Sequence, residues 1–261
     1  MRFFQPCAVF LSVLSAAGVT AQSSQGRLRG REIQYDNLTL YVTKPPRNIH
    51  ASRKPGSRVG VLYLTDVYGL ALEANKRLVD DFAESGFITV APDFFDGASV
   101  ELRDPTVNQG QFAARFPPSI ADPIIVKSIA YLRDVAKVDK IVASGYCYGG
   151  RHVMRYLDGV RGGGEIEVGF SAHPSGLATE EIEAIEGPIT IAAAAEDELY
   201  PLERLAETNA ILHEKGVVFT SVVYSGTTHG FATRANESIP LEAYAKNEAF
   251  EQAVRFFNAW A

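Results

Sequence analysis

The chain has 261 residues, of which 46% are hydrophobic and 21% are charged. This composition is typical of a globular protein and excludes disordered, collagenous and coiled-coil chains. The net charge of −6 provides no basic excess to neutralise a phosphate backbone, so we expect no nucleic-acid partner. Two cysteines, Cys7 and Cys147, are too few for a disulfide-stapled scaffold or a Cys-rich zinc site.

The first 21 residues predict a signal peptide. Arg2 precedes an apolar run over 7–14, and Val19, Thr20 and Ala21 provide the small residues of a cleavage site. We expect cleavage after Ala21, so that residues 22–261 form the mature domain in the secretory pathway or outside the cell. The apolar run is short for a transmembrane helix, so no stable membrane insertion is expected; a membrane anchor is the alternative.

Two sequons agree with secretion. They begin at Asn37 and Asn236, each followed by Ser or Thr two residues later, and we expect both asparagines to be glycosylation sites. Removal of the leader also removes Cys7. Cys147 is then the single thiol of the mature chain, and an intramolecular disulfide is excluded.

Beyond the leader, short apolar runs alternate with longer helical patterns. Strands are expected over 38–43, 59–64, 87–91, 140–144, 167–171, 189–195 and 218–224. Helices are expected over 70–85, 118–136, 202–215 and 241–260, with a further helix beginning near Arg151. Neither a repeat nor a linker divides the chain. The alternation predicts a single α/β domain whose mainly parallel sheet has helices on both faces and a site beyond the carboxyl ends of its strands.

The segment Gly145-Tyr146-Cys147-Tyr148-Gly149-Gly150 has the context of a nucleophile elbow. It follows a predicted strand and precedes a helix, and its glycines allow the backbone to turn sharply around the cysteine. The unpaired N–H groups at the helix start favour a thiolate and an oxyanion. A buried structural cysteine is the alternative. We predict that Cys147 is a nucleophile.

An acid and a histidine follow at the ends of two later predicted strands. Asp197 comes after 189–195, and His229 comes after 218–224. The chain order nucleophile, acid, histidine is that of α/β-hydrolases. In this arrangement His229 transfers protons and Asp197 fixes its tautomer. The neighbouring carboxylates Glu196 and Glu198 remain alternatives for the acid.

The loop after strand 59–64 is expected to complete an oxyanion hole. One donor is the backbone N–H of Tyr148, and the second is assigned to the backbone of Val67. Asp66, in the same loop, is expected either to contact the thiol or its histidine, or to cap a helix.

The remaining histidines indicate no metal site. His50, His152 and His213 stand alone, and none is paired at metal-ligand spacing with a carboxylate nearby. His173 ends a predicted strand, where a structural role is favoured over one in lining the pocket.

These motifs resemble the dienelactone hydrolase family, particularly its fungal members. The resemblance covers most of the mature chain and rests on 64–69, 91–95, the cysteine elbow 145–150, Asp197 with Pro201, and 229–232. It implies an α/β-hydrolase fold and hydrolysis of a small lactone or ester through a thiolate, a tetrahedral intermediate and an acyl-enzyme. It implies no cofactor.

Two departures from the family affect the expected substrate. Asp66 stands where bacterial members have Glu, which places their thiol-switching arrangement in question. Arg234 is a candidate for binding a substrate carboxylate, while a second arginine is left open among Arg103, Arg115 and Arg151. The substrate is therefore dienelactone or another lactone, ester or thioester, such as an intermediate of secondary metabolism.

The leading hypothesis is a cysteine-dependent hydrolase that cleaves a lactone or ester. One alternative is a biosynthetic acyl transfer or cyclisation on a polyketide-type substrate. Another is a secreted binding protein that keeps the pocket without chemistry. The sequence does not determine the oligomeric state.

Overall fold

A computed structural model describes residues 27–47, 57–99 and 108–261. The strands are β1 (Arg31–Tyr35), β2 (Leu38–Thr43), β3 (Val59–Leu64), β4 (Ile88–Pro92), β5 (Lys140–Tyr146), β6 (Ile166–Ala172), β7 (Ile189–Glu196) and β8 (Phe219–Thr228). The helices are α1 (Glu73–Glu84), α2 (Gln109–Ala114), α3 (Pro118–Ala130), α4 (Tyr148–Arg155), α5 (Thr179–Glu183), α6 (Leu202–Glu214), α7 (Phe231–Arg234) and α8 (Pro240–Trp260).

The strands form one sheet in the order β1-β2-β4-β3-β5-β6-β7-β8. β2 is antiparallel to both β1 and β4, and all other neighbours are parallel. The six parallel strands from β4 to β8 point their carboxyl ends to the same edge, which collects the loops that follow β3, β5, β6, β7 and β8.

Helices cover both faces of the sheet. On one face, Phe82 of α1 and Phe250 and Phe257 of α8 pack together, with ring centroids 4.9 to 6.0 Å apart. On the other face, a second buried cluster includes Ile125 of α3 and Val153 of α4. Because both faces are covered, the central strands are buried over most of their length, as in β3, where every residue is buried. The predicted single-domain α/β fold with a mainly parallel sheet is confirmed.

β1 was absent from the sequence prediction. Its residues are exposed or half-buried, so they lack the apolar run that marks the central strands. β1 is joined to β2 by a tight turn in which Asp36 and Asn37 both have positive φ, the geometry of a hairpin turn. Asn37 is exposed there, so its amide is accessible to a glycosylating enzyme.

The helix expected over 118–136 is divided in two. α3 ends at Ala130, and a π-helical turn spans Tyr131–Val135. The apolar pattern continues through both parts, because Tyr131 and Leu132 are buried, and the sequence therefore indicates one continuous helix.

Some sequence predictions fall outside the described residues. These are the signal peptide with Cys7, His50 and Arg103. Within the described ranges, none of the helices combines the length and apolar character needed to cross a bilayer.

Candidate active site

The site is built around Cys147, between the end of β5 and the start of α4. Cys147 has φ 52° and ψ −112°, a conformation that a non-glycine residue adopts only where the surrounding structure enforces it. Its N–H donates to Ala172 O at 3.1 Å, which ties the turn to the end of β6. α4 begins directly after it, at Tyr148 rather than near Arg151. The side chain is 2% exposed.

Two glycines make this turn sterically feasible. A Cβ at Gly145 would lie 2.4 Å from Gly149 O, and a Cβ at Gly149 would lie 2.1 Å from Leu64 O. Both distances are far below van der Waals contact with rigid backbone. The glycines therefore allow α4 to approach β3 closely, and the N–H of Gly149 donates to Thr65 O at 3.1 Å. This contact places the loop after β3 beside the cysteine.

Asp197 and His229 lie at adjacent positions of neighbouring strands. The last residue of β7, Glu196, is in register with the last residue of β8, Thr228, so the residues that follow meet at the sheet edge. His229 Nδ1 lies 2.9 and 3.0 Å from the two carboxylate oxygens of Asp197.

The carboxylate of Asp197 is itself oriented by its loop. Its Oδ1 accepts hydrogen bonds from the N–H groups of Leu199 and Tyr200 at 2.9 and 3.1 Å. Asp197 is buried, whereas Glu196 and Glu198 are exposed. Of the three adjacent acids, the structure therefore brings Asp197 to the histidine.

The protonation of His229 is set by competing effects. Burial alone would lower its pKa, but the hydrogen bonds and charges of Asp197 and Cys147 outweigh burial and raise the pKa to about 9. At neutral pH the imidazole is therefore positively charged beside the thiol. Its Nε2 is buried and has no hydrogen-bond partner among the described residues.

The predicted oxyanion donors flank the cysteine. Tyr148 is the first residue of α4, so its N–H has no acceptor within the helix, and its hydroxyl is anchored on Phe116 O at 2.8 Å. Val67 lies in the loop that contacts the elbow through Thr65 O and is buried. Tyr148 and Val67 thus belong to the two segments that the Gly149–Thr65 hydrogen bond joins, and their role as oxyanion donors stays a prediction.

A serine that the sequence analysis did not single out also contacts Cys147. Ser175 Oγ lies 3.4 Å from Cys147 Sγ, and the N–H of Ser175 donates to Cys147 O at 3.2 Å. Ser175 follows β6, which neighbours β5 in the sheet. No sequence pattern marks this serine, because only the order of the strands in the sheet brings it to Cys147.

His173 is packed directly behind His229. Its ring is fully buried, its edge meets the His229 ring at a centroid distance of 5.0 Å, and neither ring nitrogen has a hydrogen-bond partner in the described ranges. Burial, followed by the positive charges of His229 and Arg234, lowers the pKa of His173 well below its ordinary value. His173 is therefore a neutral ring that supports His229.

The structure changes the interpretation of Asp66. Its carboxylate is fully buried and is paired with the guanidinium of Arg234. It also accepts from Asn75 Nδ2 at 2.9 Å and from the N–H of Tyr68 at 3.1 Å. Neither expected role is observed: these bonds include none to Cys147 or His229, and α1 has Leu72, not Asp66, at its N-cap. The ion pair with Arg234 satisfies the carboxylate instead.

Arg234 is correspondingly committed to the protein. Besides Asp66, its guanidinium lies 4.6 Å from the centroid of the Tyr68 ring. The pair joins α7, which follows the loop of His229, to the loop that carries Val67. Arg234 was predicted to bind a substrate carboxylate, but in this structure its charge is already neutralised by a buried acid.

The other arginines considered for substrate binding also have partners. Arg151 forms a bidentate pair with Glu181, with distances of 2.8 to 3.2 Å. Arg115 is exposed and lies over the rings of Phe112 and Phe116. Neither of them lies in the contacts described for Cys147.

Apart from His229, the described histidines carry no metal-binding pattern. His152 is buried against Phe94 and close to Arg155, and burial, with the charge of Arg155, lowers its pKa to about 3. No group of three potential metal ligands is present in the part of the chain that the structure describes.

A cavity of about 280 Å³ lies elsewhere, near the end of β4. Its walls include Asp93, Phe94 and Phe116, and none of the triad residues. Since no polar group with an unexplained environment marks it, the cavity adds nothing to the chemistry of Cys147.

Comparison with known proteins agrees with this geometry. Residues 48–261 match the model of the dienelactone hydrolase family. The chain belongs to this family. It is similar to the hydrolase pyvD of Aspergillus violaceofuscus, with 33% identity over 90% of this chain and 92% of that protein. It is equally similar to the hydrolase tropI of Talaromyces stipitatus, with 33% identity and the same coverage.

Solved structures support the fold of this dienelactone hydrolase family member. A putative dienelactone hydrolase from Klebsiella pneumoniae superposes with a TM-score of 0.67 at 14% identity, covering 87% of this chain and 97% of the other.

A sequence relative with a more specific name is the mouse carboxymethylenebutenolidase homolog, which is 27% identical over 88% of this chain and 91% of its own length. The chain is thus an α/β-hydrolase that acts on ester or lactone bonds of a small molecule.

Proposed function

We propose that the chain hydrolyses a small lactone or ester through a Cys147–His229–Asp197 triad and a covalent acyl-enzyme. The single observation that carries the proposal is the hydrogen bond between His229 Nδ1 and the carboxylate of Asp197. The pKa of this imidazole is raised by Cys147 as well as by Asp197. A thiolate–imidazolium pair is the reactive form of such a site.

Acylation begins with attack of the Cys147 thiolate on the carbonyl carbon. Negative charge moves to the carbonyl oxygen, where the N–H groups of Tyr148 and Val67 stabilise it. As the tetrahedral intermediate collapses, the C–O bond of the ester breaks, and the His229 imidazolium gives its proton to the leaving oxygen. In a lactone, that oxygen stays attached to the acyl group.

Deacylation uses the same groups in reverse. His229, now neutral, takes a proton from water as the water oxygen attacks the thioester carbon. The carbon–sulfur bond breaks, which releases a carboxylic acid and regenerates the thiolate beside the imidazolium. Asp197 keeps Nδ1 protonated throughout, so that Nε2 faces the reacting atoms.

The charges near the site favour substrates that do not depend on a free arginine to bind a carboxylate group. Arg234 pairs with Asp66 and Arg151 pairs with Glu181, so these two candidate arginines are neutralised within the protein. We infer that neutral lactones or esters are accepted at least as well as the carboxylate-bearing dienelactone.

The function is tested with purified mature protein and two substrates, a dienelactone and the acetate ester of 4-nitrophenol. We expect steady release of carboxylic acid from at least one of them, and acid quenching during turnover should trap an acyl group on the Cys147 peptide, read by mass spectrometry. Absence of turnover on both, with a Cys147 that iodoacetamide does not alkylate, would overturn the proposal. Acyl products formed only with an added alcohol or thiol would indicate acyl transfer instead.

We also propose that the chain enters the secretory pathway and is glycosylated at Asn37 and Asn236. Both asparagines are exposed, and Asn236 lies in a short turn that Ser238 closes by donating to its side-chain oxygen at 2.6 Å. Expression in a fungal host should give secreted protein that begins after Ala21 and loses mass on treatment with an N-glycosidase. Protein that stays in the cells with an intact N-terminus would contradict this proposal.

A further inference from the structure

The environment of the Cys147 sulfur contains one hydroxyl that the triad mechanism does not use. Ser175 Oγ lies 3.4 Å from Sγ, a normal separation for a hydrogen bond to sulfur. Ser175 is half-buried, so its hydroxyl is only partly available to water.

The position of Ser175 is fixed by backbone hydrogen bonds on both sides of the nucleophile. Its N–H donates to Cys147 O at 3.2 Å, and the N–H of Cys147 donates to Ala172 O at 3.1 Å. Tyr146 and Ala172 are in register across β5 and β6. The serine and the cysteine therefore belong to one rigid junction between two strand ends, and the hydroxyl does not depend on a mobile loop for its approach.

The acid expected near the sulfur is held elsewhere. Asp66 is fully buried in its pair with Arg234, and its remaining acceptor capacity is taken up by Asn75, Tyr68 N–H and Thr233. The described hydrogen-bonding contact of the sulfur is thus with a neutral hydroxyl rather than a carboxylate, and a hydroxyl can donate to a negatively charged sulfur.

We propose that Ser175 donates its hydroxyl hydrogen to the resting Cys147 thiolate and so favours the charged form of the nucleophile. This inference rests on the proposed role of Cys147. It gives the thiolate a neutral hydrogen-bond donor, and it involves no proton transfer, because the serine keeps its hydrogen. When the thiolate attacks, the sulfur loses its charge and this hydrogen bond weakens. Ser175 therefore sets the pH range in which the enzyme is active.

The test measures the rate of Cys147 alkylation by iodoacetamide against pH, which requires no substrate. Loss of one hydrogen bond to a charged group should lower the equilibrium constant for ionisation of the Cys147 thiol by about ten-fold. In Ser175→Ala we therefore expect the alkylation midpoint to rise by about one pH unit, and the acidic limb of kcat/KM to move with it. Ser175→Thr, which keeps the hydroxyl, should restore the wild-type midpoint.

Ser171→Ala is the matched control. Ser171 Oγ donates to Gly150 O at 3.1 Å, so it binds the elbow backbone and makes no contact with the sulfur; its removal should leave the alkylation midpoint unchanged. A Ser175→Ala midpoint equal to or below that of the wild type, in protein with an unchanged melting temperature, would overturn the proposal. Since alkylation is measured without turnover, this failure is distinguishable from absence of hydrolase activity.

Discussion

Cys147→Ala is expected to abolish hydrolysis, with a loss in kcat of about 10⁴-fold or more. Alanine removes the sulfur that forms the acyl bond, and the oxyanion donors alone give little rate without a nucleophile. Initial rates of ester and lactone hydrolysis, compared with the wild-type protein at equal concentration, measure the effect. Circular dichroism should show an unchanged fold, since the substitution removes only the side-chain sulfur and does not alter the backbone conformation at position 147.

Cys147→Ser is the informative companion to this variant. A serine hydroxyl is not ionised at neutral pH, so it needs a neutral His229 to take its proton. The substitution also removes the sulfur that helps to raise the pKa of His229. The residual activity of Cys147→Ser should therefore increase with pH through the neutral range. Retention of wild-type rates by Cys147→Ala would show that another group is the nucleophile.

The parts of the site that were predictable from sequence are those that follow strongly apolar strands. β3, β5 and β7 are mostly buried and rich in apolar residues, which locates their ends and the residues beyond them. β8 is largely exposed or half-buried, but the apolar residues within 218–224 still indicate a strand. Cys147, Asp197 and His229 each directly follow a strand. Because these strands are parallel, the three residues lie at the same edge of the sheet, where Asp197 contacts His229.

The roles of Asp66 and Arg234 were not predictable in the same way. Asp66 lies in the loop after β3 and Arg234 is the last residue of α7, and the two are separated by 168 positions in the chain. A pair at that separation forms only when the whole sheet is assembled. From sequence, Arg234 is expected to bind a substrate carboxylate, and Asp66 is expected either to contact the thiol or its histidine or to cap a helix, whereas the folded chain pairs the two residues with each other.

Ser175 is a second example of a site residue whose role the sequence does not reveal. A serine in a loop carries no chemical pattern, because serine is common in loops for reasons of turn geometry. Its significance comes from the sheet order, which places β6 directly beside β5. Sequence analysis predicted that the sheet is mainly parallel but not which strands are neighbours, so the serine that contacts the sulfur was missed.

The second large effect is expected for Asp197→Asn, with a loss in kcat of about 10²- to 10⁴-fold. The asparagine amide keeps the size of the side chain but removes the charge, and its NH₂ group favours the wrong tautomer of His229. The exposed neighbours provide matched controls, since Glu196→Gln and Glu198→Gln remove a carboxylate one residue away. Both controls should stay within about two-fold of the wild-type rate.

The pH dependence distinguishes this role from a general loss of structure. In the wild-type protein the pKa of His229 is raised from 6.5 to about 9, so the imidazolium that protonates the leaving oxygen persists up to that pH, and kcat/KM should fall as pH rises through about 9. Without the Asp197 charge, burial lowers the pKa of His229, and the alkaline limb of Asp197→Asn should move by more than one pH unit toward neutrality. An alkaline limb that stays near 9 in this variant would mean that a group other than His229 titrates there. Asp197 would then have only a structural role, in which its side chain holds the loop by accepting from the N–H groups of Leu199 and Tyr200.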